Sequence, residues 1–280
     1  MKQISLLIFC LLCSGYFVFG QKKNPKASPQ PLTEDQIIDR YVKNGAWHYW
    51  MFSPEWQMCL DSAIAINPKI AYVYQQKAMP YFKQRKYEVG MQWLDKAVEF
   101  DAKKYIDYRA FMKCIYSKSY REAIQDFVEA QRLINENGFV MDHSFNFYIG
   151  ICHLQLNNYE RAIEYLQKSI SFTVNGNGEK WVPYLENFYL AISYQELQKH
   201  EEAIQYFDKT LAVYKEFSDA EYYKAFSLFR SRKQLAQAME LIKDSQQHFL
   251  LGYTINEINA KYEKYPYQID QGLLDAIRQK

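Results

Sequence analysis

The sequence predicts an all-α solenoid of stacked antiparallel helix pairs, and three observations carry that prediction. The small residues Gly90, Ala123, Ala162, Ala203 and Ala238 recur 33, 39, 41 and 35 residues apart, each inside a similar stretch. Breakers are scarce, with 10 Gly and 8 Pro in 280 residues, while 25 Tyr and 18 Phe supply large packing surfaces. Hydrophobic residues at 49% and charged residues at 24% fit an ordinary packed core, not a disordered chain or a multi-span membrane protein. The formal charge of +2 lacks the surplus of cations that binding to nucleic-acid phosphates requires.

Residues 1–20 read as a secretory signal peptide. Lys2 is the only charge before Gln21, Ile4 to Phe19 is apolar apart from Ser5, Ser14 and Gly15, and Gly20 provides a small residue at the cleavage edge. The 16 residues from Ile4 to Phe19 fall short of the roughly 20 that a spanning helix needs. Lipid attachment at Cys10 or Cys13 wants a small residue just before the cysteine, where Phe9 and Leu12 stand. The expected location is therefore the periplasm or cell envelope, with an outer-membrane lipoprotein as the alternative. Membrane contact follows only if this segment is retained or lipidated. Cys59, Cys114 and Cys152 remain, too few and odd in number for a disulfide framework, and read as buried thiols. Cys114 and Cys152 take matching places on successive helix pairs, but packed helices lie about 8–10 Å apart and a bridge wants Cα atoms within about 7 Å.

Residues 21–32 (QKKNPKASPQPL) carry three prolines and three lysines and read as an extended tether. Thr33 with Gln36 forms a capping-box pattern, so the repeat domain is placed at 33–245. The clearest unit is Phe145 to Ile170: Ile149 and Gly150 lie midway along one helix, Asn157-Asn158 make the turn, and Tyr159, Ala162, Leu166 and Ser169 form the inner stripe of the next helix. The following unit repeats this with Leu190, Ala191 and Tyr194, then Ala203, Phe207 and Thr210. Upstream, Tyr74, Ala78 and Tyr81 precede Tyr87, Gly90, Leu94 and Ala97. Tyr108, Met112 and Ile115 precede Tyr120, Ala123, Phe127 and Ala130, with a turn one residue shorter. Downstream, Tyr222, Ala225 and Phe229 precede Leu235, Ala238, Ile242 and Ser245. Gly or Ala at a helix crossing permits close approach and an aromatic fills the flank, so Tyr81, Tyr87, Tyr159, Phe207 and Phe229 are assigned to the core. The longer spacings hold insertions at 135–143 and 172–183.

This arrangement resembles the tetratricopeptide repeat over roughly residues 38–245. The first unit departs most: Tyr41, Gly45 and His48 occupy its first helix and Ser53-Pro54-Glu55 start its second, but Trp56 stands where the small anchor belongs. The tail predicts a helix at 256–264, a break at Tyr265-Pro266-Tyr267 and an amphipathic helix at 270–278. Residues 246–280 are read as a cap over the last repeat or as a peptide that docks in a neighbour.

No H-E-x-x-H, P-loop or G-x-S-x-G occurs, and the one C-x-x-C spacing, Cys10 to Cys13, lies inside the leader. The five histidines are scattered over different units, and Asp142-His143 reads as capping polarity. Neither catalysis nor a cofactor or metal is expected. The resemblance implies a right-handed superhelix whose concave face is lined by the first helix of each pair. One turn from the core positions lie Tyr72, Gln75, Met79 and Phe82; Arg109, Lys113 and Tyr116; Phe147, Ile151 and Leu154; Phe188, Ile192 and Gln195; and Tyr223, Ser227 and Arg230. Such a groove takes an extended peptide or a helix of a protein partner, and Arg109 with Lys113 would hold an acidic group. The resulting reading is a non-catalytic binding or scaffolding protein of the bacterial envelope. Its alternatives are a carbohydrate-binding accessory protein, with sugars stacked on Tyr72, Phe82 and Tyr116, or a structural subunit of an envelope assembly.

Overall fold

The computed structural model describes residues 30–231 and 234–278, and residues 34 onward form the compact unit considered below. The segment read as a leader, with Cys10 and Cys13, and most of the segment read as a tether lie outside the described residues. No described helix is long and apolar enough to cross a membrane.

Six antiparallel helix pairs stack in sequence, as an all-α helical-repeat solenoid. Pair one joins α1 (Glu34–Ile37), continued by a π-helical turn Ile38–Lys43, to α2 (Pro54–Ile66). Pairs two to six are α3 (Ala71–Lys83) with α4 (Tyr87–Phe100), α5 (Ala102–Phe111) with α6 (Tyr120–Leu133), α7 (Phe145–Gln155) with α8 (Tyr159–Asn177), α9 (Tyr184–Glu196) with α10 (His200–Val213), and α11 (Ser218–Arg230) with α12 (Leu235–Leu250). A short helix, α13 (Gln271–Arg278), ends the described chain.

The turns within pairs two to five are built alike. The central residue of each adopts a left-handed conformation: Arg85 (φ 61°), Lys118 (φ 57°), Asn157 (φ 58°) and Gln198 (φ 61°). None is glycine, so the closed turn outweighs the local cost of positive φ. Between turns, Gly150 lies so close to α8 that an added Cβ would meet Leu166 Cγ at 2.7 Å. The first helices of later pairs are buried on most faces, while the second helices bury a single stripe, such as Ala162, Leu166 and Ser169 on α8.

Several expectations change. The first unit has no regular helix over residues 41–48: the π-helical turn closes at Asn44 and a single 3-10 turn follows at Ala46–His48. Trp56 is buried with Leu60 and Ala63 in a separate small core, which explains the absence of a small anchor there. The turn before α6 is not shorter than the others. Instead α5 ends in a π-helical turn, Met112–Tyr116, which holds one extra residue. The insertion at 135–143 forms a two-residue antiparallel hairpin, β1 (Phe139–Val140) with β2 (His143–Ser144), and the first half of the 172–183 insertion lengthens α8. Phe207 is fully buried and Tyr81, Tyr87 and Tyr159 half-buried, whereas Phe229 is exposed because no described residue stacks beyond the last pair. Cys59, Cys114 and Cys152 are free thiols.

The tail differs most. No helix forms over 256–264, and the described part of the segment packs beside α11 and leaves the end face of the last pair open. After Leu250 the chain turns at Gly252 (φ 86°) and runs back along the first helices. Its polar side chains bond those helices, and its apolar ones, Ile255 and Tyr265, join the central core, an arrangement a regular helix at 256–264 would forgo.

Candidate functional site

The row of first helices carries a tyrosine two residues before the small crossing residue: Tyr108 before Ala110, Tyr148 before Gly150, Tyr189 before Ala191 and Tyr223 before Ala225. Helical spacing puts these rings on one side of the solenoid. Three of them face the returning tail. The Tyr189 hydroxyl donates to the Pro266 carbonyl at 3.0 Å, the Tyr223 and Tyr267 rings lie 5.7 Å apart, and Tyr148 shares the core with Tyr265.

Residues 254–269 form a loop held along this row at both ends and at its tip. Thr254 Oγ1 donates to Asp219 Oδ2 and the Ile269 N–H donates to Asp219 Oδ1, each at 2.7 Å, so one carboxylate on α11 closes the loop. The outgoing limb places Asn256 under the Tyr184 hydroxyl (2.9 Å), Glu257 beside His143 (3.3 Å) and Asn259 under the Tyr116 hydroxyl (2.9 Å). At the tip, Tyr262 takes the Lys83 ammonium on its ring at 4.8 Å and the Tyr87 hydroxyl donates to Glu263. The returning limb receives Lys118 Nζ on the Lys264 carbonyl (2.7 Å) and donates from Tyr267 to Glu196 (2.8 Å). Gln268 ties the limbs together by donating to the Ile255 carbonyl at 3.4 Å. A cleft of about 710 Å³ stays open beside the loop, lined by Tyr120, Gln155 and Tyr223 of the repeats and by Glu263, Tyr265 and Tyr267 of the loop.

Burial sets the electrostatics here. It pushes the Asp219 carboxyl up to about 6, against the opposing pull of its hydrogen-bond donors. Burial and the neighbouring Glu263 raise Tyr87 to about 12. On the inner side of the row, Glu186 is pushed up to about 7 by burial, with Ser169 donating to it at 2.9 Å and Ser144 lying 2.6 Å from Ser169.

The anticipated groove residues separate accordingly. Phe82, Tyr116, Phe147, Ile151, Phe188 and Ile192 are buried, and Leu154 and Gln195 with them, so they are not open contact points. Phe82 and Tyr116 are therefore unable to stack on a sugar. Tyr72, Gln75, Met79 and Tyr223 are half-buried, and Ser227 is buried. Arg230 is exposed at the end of α11, with its guanidinium over the Phe226 ring.

Arg109 and Lys113 do not present free cations. Arg109 makes a two-pronged bond to Asp126 (2.8 Å each) and a third to Asp95 (2.8 Å), while Lys113 reaches Asp126 at 2.7 Å. The π-helical turn explains the difference, because its extra residue makes Ala110, not Met112, the small residue at the crossing. Arg109 then precedes its small residue as Lys77 precedes Ala78 and Lys224 precedes Ala225. All three pair with an aspartate of the preceding pair: Lys77 with Asp61 (2.7 Å), Arg109 with Asp95 and Lys224 with Asp208 (2.5 Å). These are ties between repeats.

Sequence reasoning missed Asp219, His143, Tyr184 and Tyr189. Of these only Tyr189 belongs to a pattern that the sequence displays, a tyrosine two places before the small residue of four first helices. His143 does not serve merely as capping polarity: its ring stacks on Phe147 at 4.1 Å and faces Glu257. Among the described residues, no group of three or more His, Cys, Asp or Glu side chains is gathered to hold a metal.

Residues 145–173 and 189–216 match the tetratricopeptide repeat family. No curated protein sequence matches the chain. Among solved structures, PilW, a widely conserved type IV pilus biogenesis factor, aligns with a TM-score of 0.60 at 15% identity, over 77% of this chain and 94% of its own. PilF of Pseudomonas aeruginosa aligns at 0.57 with 17% identity over 78% and 96%. YrrB, described as a TPR protein with an unusual peptide-binding site, aligns at 0.51 with 16% identity over 79% and 98%. At these identities the likeness is one of fold. Two helix pairs match the family by sequence and pairs two and three repeat their turn and crossing: the chain carries tetratricopeptide repeats within a solenoid of that fold.

Proposed function

We propose that the chain is an exported, non-catalytic interaction scaffold of the bacterial cell envelope, and that its first-helix row receives an extended segment of a protein partner in place of residues 254–269. The observation that carries this reading is the loop itself. The row already holds an irregular polypeptide loop by tyrosine hydroxyls, one buried carboxylate and pockets for Ile255 and Tyr265. Because the resident segment is tethered, it competes at high effective concentration, so a partner must match its bonds or find it loosened. Export rests on the leader-like residues 1–20, and PilW as a structural neighbour is compatible with an envelope role.

A crosslinked pull-down from the native envelope tests this with two forms of the chain: the natural one and Thr254→Val/Asn259→Ala/Glu263→Ala, which alters the loop and leaves the repeats intact. Recovery of a partner should rise several-fold with the loosened loop. Equal recovery from both places recognition away from the first-helix row.

The cleft beside the loop supports a second reading. Its tyrosine rings alternate with Gln155, Glu263 and Asp270, a combination suited to stacking on and hydrogen-bonding a sugar. Glycan-array binding that Tyr223→Ala abolishes would favour it over the protein partner.

A further inference from the structure

The last helix pair ends the solenoid on an uncovered apolar face. Phe226 is 43% exposed, Phe229 59%, Leu235 56% and Met239 59%. With Tyr222 and Ile242 they surround a groove of about 360 Å³. The same positions of earlier pairs are covered. Phe226 follows Ala225 as Ile192 follows Ala191 and Ile151 follows Gly150. Phe229 stands four beyond its small residue, as do Gln195 and Leu154. All four earlier counterparts are buried, and the second-helix counterparts of Met239, Ile204 and Ile163, are half-buried. In each case the next pair lies over them. At the sixth pair the described chain supplies no such cover, because the segment after Leu250 returns along the first helices.

The form of the missing cover follows from the stack. Each junction in this solenoid is a helix-pair face laid on a helix-pair face, so the open face continues an interface the molecule already makes five times. A second copy offers a surface of that form with the same residues uncovered. The area is of the right order. Large side chains present about 150–250 Å² each, so four of them about half exposed give roughly 400 Å² of apolar surface per copy. An ordinary interface buries about 800 Å² per partner, slightly more than half of it non-polar. The patch thus suffices as the centre of such an interface once a polar rim including Arg230 is added. A formal charge of +2 puts little repulsion between two copies.

We propose that two copies of the chain pack through their exposed α11–α12 faces as a two-fold dimer, joining two solenoids end to end. In such a pairing the same patch serves on both sides, so it closes at two subunits.

Sedimentation and light scattering of the chain from Gln21 onward test this over about 1–200 µM, the range in which a Kd of tens of micromolar is read directly. The natural chain should reach the dimer mass, and Phe229→Glu/Met239→Glu should remain monomeric, with dimerisation weakened at least about 30-fold. Both substituted side chains are exposed, and an unchanged circular-dichroism melt confirms that the variant folds. Trp50→Ser, at the opposite end and 71% exposed in the natural residue, should still dimerise. A natural chain that stays monomeric throughout, a dimer that survives the double substitution, or growth past the dimer with concentration would each overturn the proposal.

Discussion

The buried carboxylate of Asp219 accepts the backbone N–H of Ile269 at 2.7 Å, across 50 positions of sequence. The other oxygen of that carboxylate takes the Thr254 hydroxyl, so α11 grips both ends of a 16-residue loop, 254–269, with one side chain. Hydrogen bonds to a charged acceptor contribute about 1.5–3 kcal/mol each, and stranding their donors adds a penalty.

Asp219→Ala should therefore release the loop without unstacking the repeats. Stability should fall by about 2–4 kcal/mol, and amides of residues 254–269 should exchange at least tenfold faster while those of α7 to α10 keep their protection. Hydrogen exchange resolved by peptide measures both. Uniform loss of protection would mean that the loop is integral to the repeat core.

Glu186 sets a pH dependence with a definite sign. Its folded value of about 7 lies above the ordinary carboxyl value of 4.5, so the fold favours the protonated form. The associated stability is fully present below about pH 4.5 and is lost as pH rises through about 7. Relative to the natural chain, Glu186→Gln should gain on the order of 3 kcal/mol between pH 5 and 8. Denaturant melts at several pH values measure the difference in slope, whatever constant offset the amide brings through the partnerless position of Oε2.

Arg109 and Asp126 should couple as a structural pair. Both are largely buried and joined by two 2.8 Å bonds, and removing Asp126 would take from Lys113 its carboxylate partner and leave Arg109 with Asp95 alone. Asp126→Ala should cost about 3 kcal/mol or more. A double-mutant cycle with Arg109→Ala should return a coupling of about 1–3 kcal/mol. A coupling near zero would return Arg109 to the role of a free surface cation.

Two glycines should respond in opposite directions. Gly150→Ala puts a methyl group 2.7 Å from Leu166 Cγ and 3.3 Å from the Ala162 carbonyl oxygen, and should destabilise the chain by about 1–3 kcal/mol. Gly176, in the last turn of α8, has nothing within 4 Å of an added Cβ, and Gly176→Ala should stabilise by about 0.5–1 kcal/mol. Thermal melts of the two variants compare them directly.

The sequence by itself determined the helix pairs, their number and the small crossing residue on the second helix of five of them. Close approach of two helices demands a small side chain at one place per pair, and that demand is local and periodic, so Gly90, Ala123, Ala162, Ala203 and Ala238 display it openly. The site was less legible. The tyrosines two places before Ala110, Gly150, Ala191 and Ala225 share a register only once the crossing residues are known, and the register of Arg109 was hidden by a π-helical turn, a change of one residue that composition does not announce. Where residues 251–270 go was decided only by the tertiary structure. Their turns are irregular, and their place depends on bonds such as Asp219 to Ile269 and Tyr116 to Asn259. Those bonds join partners far apart in sequence, and no period links them. For the same reason the open end of the last pair could not be anticipated: a cap and a groove-filling loop are equally consistent with the sequence of the tail, and the partners it meets choose between them.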